Sequence, residues 1–228
     1  MASREEQKKK AREEREAKER EERESKAKRR RLLRIGIGAA VVVVAAIIAV
    51  VALSGGGSKK TAQGATGPNA MQNTAGPWNN GTAGLEQRAT ELGLPDPSDT
   101  VFHVHANLAV YADGKKETVP QNVGIDSDKQ FLASLHTHDD QGVIHMEAVQ
   151  PYPFKLGQFF TIWGVPFTAT QLGSYHVGQG LVLQTWVNGK QVKDGPSYVM
   201  KPHDLIVVGF GKPGSFPTKN NFKFPPGE

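Results

Sequence analysis

Cysteine is absent from this 228-residue chain. That absence excludes disulfide bridges, thiolate metal sites and cysteine nucleophiles. The sequence also lacks a Ser/His/Asp order, a phosphate-binding loop and a nucleotide fingerprint, which are the commonest short motifs of enzymes. Histidine, which occurs seven times, is therefore the main side chain available for metal or proton chemistry.

An excess of charge of one sign is confined to the N-terminal tail. Residues 1–31 contain 14 Lys or Arg and 9 Asp or Glu, whereas residues 35–228 contain 13 and 14. The pI of about 9.3 therefore belongs to the tail. Because nucleic-acid-binding domains carry a basic patch on a folded surface, we predict no nucleic-acid partner.

Residues 32–53 form the one long apolar run. Arg34 interrupts it near its start, and the 19 residues from Ile35 onward carry no charge. As a helix they would extend about 28 Å, which matches the hydrocarbon thickness of a bilayer. We therefore predict a single transmembrane helix in the lipid bilayer. Cleavage of a signal peptide just after the run is the alternative.

The flanks of this run predict its orientation. Five basic residues lie between Lys28 and Arg34, and only Lys59 and Lys60 lie near the other end. The positive-inside rule then makes this a single-pass cell-membrane protein with a cytoplasmic N-terminus and an extracytoplasmic C-terminal domain. In the tail, 1–31, seven of nine Glu precede Lys or Arg by four positions, which favours a solvated helix. That helix either docks a cytoplasmic partner or only sets the orientation.

Residues 54–84 are rich in Gly, Ser, Thr and Asn and show no hydrophobic period, so they are predicted to be a flexible linker. The extracytoplasmic domain is predicted to occupy residues 85–210, and residues 211–228 form an irregular, proline-rich tail. A short helix, GLEQRATELG, is predicted at the start of the domain, ended by Gly93.

The rest of the domain is predicted to consist mostly of strands. Alternating apolar and polar residues predict a strand from Phe102 to Tyr111, and two segments, 131–138 and 143–149, form a second hairpin. Helical spacing predicts a core-facing helix over 155–163. Asn188-Gly189 marks a hairpin turn, and the apolar segment 204–210 predicts a central strand. The fold class is therefore α+β and β-rich, with a β-grasp-like arrangement as the first choice and an open β-sandwich as the second.

Five of the seven histidines fall between positions 103 and 145. Because residues i and i+2 of a strand share a face, each His-x-His pair points two imidazoles the same way. If residues 139–142 form a four-residue turn, His136 lies opposite His145, and His138 shares their face. Three imidazoles on one face can bind a metal ion. The predicted metal ligands are His136, His138 and His145, with His103, His105 and Glu147.

Several roles within this cluster stay open. His103 and His105 complete the site if the first strand neighbours the hairpin; otherwise they form a second site or a polar sheet face. Glu147 is a fourth ligand, a hydrogen-bond acceptor for a ligand, or a base. Asp139 is a candidate to orient an imidazole. Imidazole suits Zn, Cu, Ni and Fe, and Cu or Zn is the expected cofactor. A pH switch is a further alternative, because imidazoles protonate near neutral pH.

The motifs HVHANLAVYADGK (103–115), LHTHDDQGVIHME (135–147) and FKLGQFFTIWG (154–164) resemble a family of uncharacterised exported or membrane-anchored bacterial and archaeal domains. Members share H-x-H-x-x-L, L-H-T-H-D-x-x-G-x-I-H-x-E and L-G-x-F-F-x-x-W-G, followed by V-N-G-K. Relatives often carry a cysteine pair after the helix. Since this chain has none, a redox or disulfide role does not carry over. The resemblance implies a histidine-based site.

The leading functional hypothesis is a tethered, non-enzymatic metal-binding domain that senses, buffers or delivers Cu or Zn outside the membrane. A second hypothesis is a structural accessory subunit of a membrane protein complex. A third is a metal-dependent hydrolase in which three histidines hold Zn²⁺, lower the pKa of a bound water, and Glu147 acts as base.

Overall fold

The computed structural model describes residues 70–225. The predicted cytoplasmic tail, the predicted transmembrane segment at 32–53 and the first part of the predicted linker lie outside this range. No helix among the described residues combines the length and the apolar character that crossing a membrane requires.

Two helices and eleven strands occur within residues 70–225. The helices are α1 (Leu85–Leu92) and α2 (Leu156–Trp163). The strands are β1 (Phe102–Ala112), β2 (Lys115–Glu117), β3 (Ile125–Asp126), β4 (Phe131–Leu132), β5 (Leu135–His136), β6 (Val143–Ala148), β7 (Gln171–Leu172), β8 (Tyr175–His176), β9 (Val182–Val187), β10 (Lys190–Val192) and β11 (Leu205–Gly211).

Seven strands form one mixed sheet in the order β10-β9-β11-β1-β6-β5, with β2 paired to the end of β1. β1 and β11, the first and last long strands, run parallel at its centre, and the flanking pairs are antiparallel. The prediction that 204–210 is a central strand is therefore confirmed. The protein has a β-rich α+β fold. Two small hairpins, β3-β4 and β7-β8, stand apart from this sheet.

The two faces of the sheet carry different residues. On β1 and β6 the even-numbered residues face the core, where Leu108 and Ile144 are almost completely buried. α2 packs its apolar side into the same core, as its helical spacing predicted; its buried residues are Leu156, Phe159, Phe160, Ile162 and Trp163. The odd-numbered residues of β1 and β6, including the histidines, occupy the opposite face.

The folded structure starts before the predicted boundary at residue 85. Trp78 is only 4% exposed and meets Trp163 edge to face, with ring centroids 5.6 Å apart. Gln72 donates a side-chain hydrogen bond of 2.9 Å to the carbonyl of Trp163. Residues 70–84, assigned to the linker on their Gly, Thr and Asn content, thus contribute a core aromatic and buried hydrogen bonds.

Arg88 on α1 is a buried cation, 1% exposed. Its guanidinium donates to the carbonyls of Thr161 and Ile162 in the last turn of α2, at 2.8 and 3.0 Å. It also donates to the carbonyls of Gly81 and Ala83. A helix C-terminus leaves carbonyls unsatisfied and carries partial negative charge, so Arg88 neutralises this end of α2 and attaches residues 81–83 to it.

The C-terminal segment beyond β11 lacks regular secondary structure within the described range but packs on the sheet. Phe216 is buried against Gly209 of β11, where a Cβ atom would lie 2.2 Å from its ring. The side-chain amide of Asn220 donates 2.7 Å to the side-chain oxygen of Asn107. This segment therefore covers part of the face that also carries the histidines.

Candidate metal centre

Three adjacent strands bring the histidines together. His136 on β5 pairs with His145 on β6, as the predicted four-residue turn requires, and this register is confirmed. His105 on β1 pairs with the same His145 from the other side. Since β1 neighbours the hairpin, the condition for His103 and His105 to join the cluster is met. His145 thus stands in the middle of a row of three histidines.

The turn between β5 and β6 holds this register. Gly142 ends it with φ +80°, and a Cβ there would lie 2.2 Å from the carbonyl oxygen of Leu108. The amide of Leu108 donates 2.8 Å to the carbonyl of Gly142. Asp139, the candidate for orienting an imidazole, accepts hydrogen bonds from the backbone and side-chain amides of Gln141. Its described contacts stabilise the turn.

The first group of three, His103, His105 and His145, is compact. Nε2 of His105 lies 3.0 Å from Nε2 of His103 and 3.1 Å from Nδ1 of His145. Nε2 of His103 lies 3.1 Å from Nδ1 of His145. The three nitrogens therefore form a nearly equilateral triangle. An ion at roughly 2.0–2.1 Å from each nitrogen would fit slightly outside their plane.

Hydrogen bonding alone cannot satisfy this triangle. Each nitrogen of a neutral imidazole is either a donor or an acceptor, so at least two of the three are of the same kind. At least one of the three contacts then sets two donors or two acceptors against each other. A cation that accepts all three lone pairs removes the conflict. This arrangement favours three unprotonated nitrogens around one ion.

The second group of three is His136, His138 and His145. Nε2 of His136 lies 3.2 Å from Nε2 of His138. The ring of His136 stacks on that of His145, with centroids 5.1 Å apart and an interplanar angle of 12°. In each group, one ligand atom from every histidine lies within 4.8 Å of the others. The histidine clusters could thus hold a metal ion, and they share His145.

Glu147 lies outside both groups but contacts one member of each. Its Oε1 is 3.3 Å from Nε2 of His103 and 3.7 Å from Nε2 of His136. Its Oε2 accepts a hydrogen bond of 3.2 Å from the hydroxyl of Thr100. The carboxylate therefore places negative charge between the two groups.

Burial keeps three of the imidazoles neutral. Desolvation, with the nearby His103, His203 and His138, lowers the pKa of His105 to about 4. Desolvation and His138 lower the pKa of His136 to about 3, against the raising effect of its hydrogen bond to the Ala133 carbonyl.

His145, at the centre of the cluster, is affected most. Desolvation, then the four neighbouring histidines, lower its pKa to about 2. Neutral imidazole is the form that binds metals, so the cluster is ready to bind one at neutral pH.

Two contacts to the cluster come from residues that the sequence did not indicate. The Ala133 carbonyl, 2.9 Å from Nδ1 of His136, fixes the orientation of that ring and leaves Nε2 facing His138. The His203 amide donates 2.7 Å to the His105 carbonyl. His203 has φ +61°, in keeping with its prediction as a turn residue. His176, on β8, belongs to neither group.

Comparisons with known protein families, with curated proteins and with solved structures give no match to this chain.

Proposed function

We propose that the protein is a membrane-anchored, extracytoplasmic domain that binds Cu or Zn through its histidine cluster and senses, buffers or delivers the metal without catalysing a reaction. The observation that supports this most strongly is the triangle of nitrogens from His103, His105 and His145, with sides of 3.0–3.1 Å. Three converging imidazole nitrogens without a consistent hydrogen-bonding scheme are explained best by a cation.

The exposure of the cluster supports exchange of the metal. Each group of three includes one exposed histidine, His103 in the first and His138 in the second. The side chain of His103 is 43% exposed. A structural zinc site is usually closed, with four protein ligands. A three-histidine group with one ligand at the surface lets an incoming ligand displace the metal, as sensing or delivery requires.

Two further inferences belong to this proposal. The order β6-β1-β11-β9-β10, with the first and last long strands parallel and α2 between β6 and β9 in the chain, supports a β-grasp-like arrangement. The charge asymmetry around residues 32–53 supports the membrane anchor and an external domain. The histidine motifs support membership of the exported bacterial and archaeal family that they resemble.

The test is metal content. Full-length protein would be purified in detergent, stripped with chelator, reloaded with Cu(II) or Zn(II) and measured by mass spectrometry. Wild type is expected to retain at least one ion per chain after desalting. His103→Ala is expected to lose at least ten-fold in affinity for it, because a ligand is removed. His176→Ala, an exposed histidine outside both groups, is the matched control and should behave as wild type.

Two outcomes would redirect the proposal. Absence of tight Cu or Zn binding in wild type would overturn it and favour the accessory-subunit hypothesis, for which co-purifying membrane proteins are the next observation. Metal-dependent hydrolysis of an activated ester, abolished in Glu147→Gln, would instead support the hydrolase hypothesis, because Glu147 is the carboxylate in contact with the cluster.

A further inference from the structure

Two pairs of histidines flank His145, and one metal ion cannot bind both pairs. Two ligands of the same ion are separated by at most about 4.2 Å when each bond is about 2.1 Å long. Ligand atoms that lie within 4.8 Å of one another form two separate groups among the described residues. His103 and His105 belong to one group, His136 and His138 belong to the other, and His145 belongs to both.

The position of His145 explains this division. It lies on the middle strand of three, with His105 opposite it on β1 and His136 opposite it on β5. Its Nδ1 atom faces His103 and His105 at 3.1 Å from each Nε2. An imidazole has one other nitrogen, so a second ion held at the same time requires Nε2 of His145.

From this arrangement we infer that the cluster is a dinuclear centre, in which His145 bridges one ion held by His103 and His105 and a second ion held by His136 and His138. This inference rests on the proposed metal binding. When the second ion binds, Nε2 of His145 loses its proton to solvent and the ring becomes an imidazolate that donates one lone pair to each ion. No other bond is made or broken.

Charge near the centre favours two cations. The imidazolate contributes one negative charge and the Glu147 carboxylate contributes another. Oε1 of Glu147 lies 3.3 Å from Nε2 of His103 and 3.7 Å from Nε2 of His136, between the two positions. Opposite charge at this distance partly offsets the repulsion between the ions.

The two positions differ in geometry, so they should differ in affinity. The nitrogens of the first position already form a triangle with sides of 3.0–3.1 Å. In the second, the rings of His136 and His145 are stacked with an interplanar angle of 12°. Stacked rings direct their in-plane lone pairs side by side, so a ring must rotate before both nitrogens face one ion. We expect the second ion to bind at least ten-fold more weakly.

The experiment is a Cu(II) titration of full-length, metal-free protein in detergent, followed by calorimetry and electron paramagnetic resonance. Wild type is expected to bind two ions per chain in two steps. The second step should release one more proton than the first, seen as a dependence of its heat on the buffer. The doubly loaded form should give a spin-coupled spectrum, because an imidazolate couples the two ions.

Variants separate the two positions. His138→Ala, at an exposed ligand of the second position, should abolish the second step and the spin coupling while the first step stays within about three-fold of wild type. His103→Ala should weaken the tight step and leave the weaker one. His176→Ala is again the control. A charge-neutral replacement, Glu147→Gln, should weaken the second step more than the first.

The outcomes distinguish this inference from the proposed function. No bound copper overturns both. One ion per chain in wild type keeps the metal-binding function and overturns the dinuclear centre, whether or not either variant still binds it. Two ions with uncoupled spectra, or two ions in His138→Ala, show that His145 is not a bridge and overturn the inference as well.

Discussion

Nδ1 of His145 lies 3.1 Å from Nε2 of His105, the residue directly opposite it on the neighbouring strand. Cross-strand neighbours normally meet through side-chain packing or a single hydrogen bond. Here a third nitrogen, from His103, lies at nearly the same distance from both. The pairing of β1 with β6 thus converts three polar positions on a sheet face into a candidate metal centre.

Acid should destabilise the metal-free protein. His105, His136 and His145 have pKa values lowered to about 4, 3 and 2 in the folded state, chiefly by desolvation. In the unfolded chain they titrate near 6.5, so below that pH the unfolded state binds more protons. Their stabilising contribution is complete above pH ~6.5 and declines as the pH falls towards the folded-state values.

Urea denaturation of the metal-free protein between pH 7.5 and pH 5 would measure this decline, in a range where most carboxylates stay ionised. The free energy of unfolding should fall steadily across the range, and His145→Asn should show a shallower dependence. A free energy that does not change between these pH values would contradict the prediction.

Arg88→Met should destabilise the protein by about 3 kcal/mol. The substitution keeps most of the side-chain volume but leaves the buried carbonyls of Thr161 and Ile162 at the end of α2 without their donor. Urea denaturation measures the loss. Gln87→Ala, at the neighbouring exposed position of α1, is the control and should change stability by less than about 0.5 kcal/mol. Equal effects of the two substitutions would show that the Arg88 contacts contribute little.

Removal of residues 70–84 should weaken the folded domain. A fragment that begins at residue 85 lacks Trp78, which is 4% exposed and packs on Trp163. Loss of a buried tryptophan typically costs about 3–5 kcal/mol. Thermal unfolding of fragments 70–228 and 85–228 would show the difference as a lower Tm for the shorter one. Trp78→Ala in the longer fragment should reproduce much of it. Identical Tm values would mean that residues 70–84 pack without stabilising.

Gly142→Ala should impair both stability and metal affinity. The added Cβ would lie 2.2 Å from the Leu108 carbonyl and would push β6 away from β1. The nitrogens of His103, His105 and His145 would separate, because they belong to these two strands. Gly180→Ala is a close control, since Gly180 also has positive φ but a Cβ added there would have nothing within 4 Å. Calorimetric Zn(II) titration of both variants should show weakened binding in Gly142→Ala alone.

Local pattern was sufficient for part of this site. A side-chain period of two put His136 and His138 on one face, and the length of the 139–142 turn set His136 opposite His145. The helices at 85–92 and 156–163 followed from apolar spacing and from the glycines that end them. These features depend on residues close together in the chain, so composition and spacing carry enough information to predict them.

What lies far apart in the chain was decided by tertiary structure. The sequence determined that this protein has two His-x-His strands, a hairpin and a core-facing helix. Only the packed sheet decided that β1 lies beside β6, so that His145 serves both pairs. It also decided that Trp78 and Arg88 are buried, although their surroundings in sequence are polar. The physical reason is that burial and strand order depend on which surfaces meet, and nothing in a local period specifies a partner many residues away.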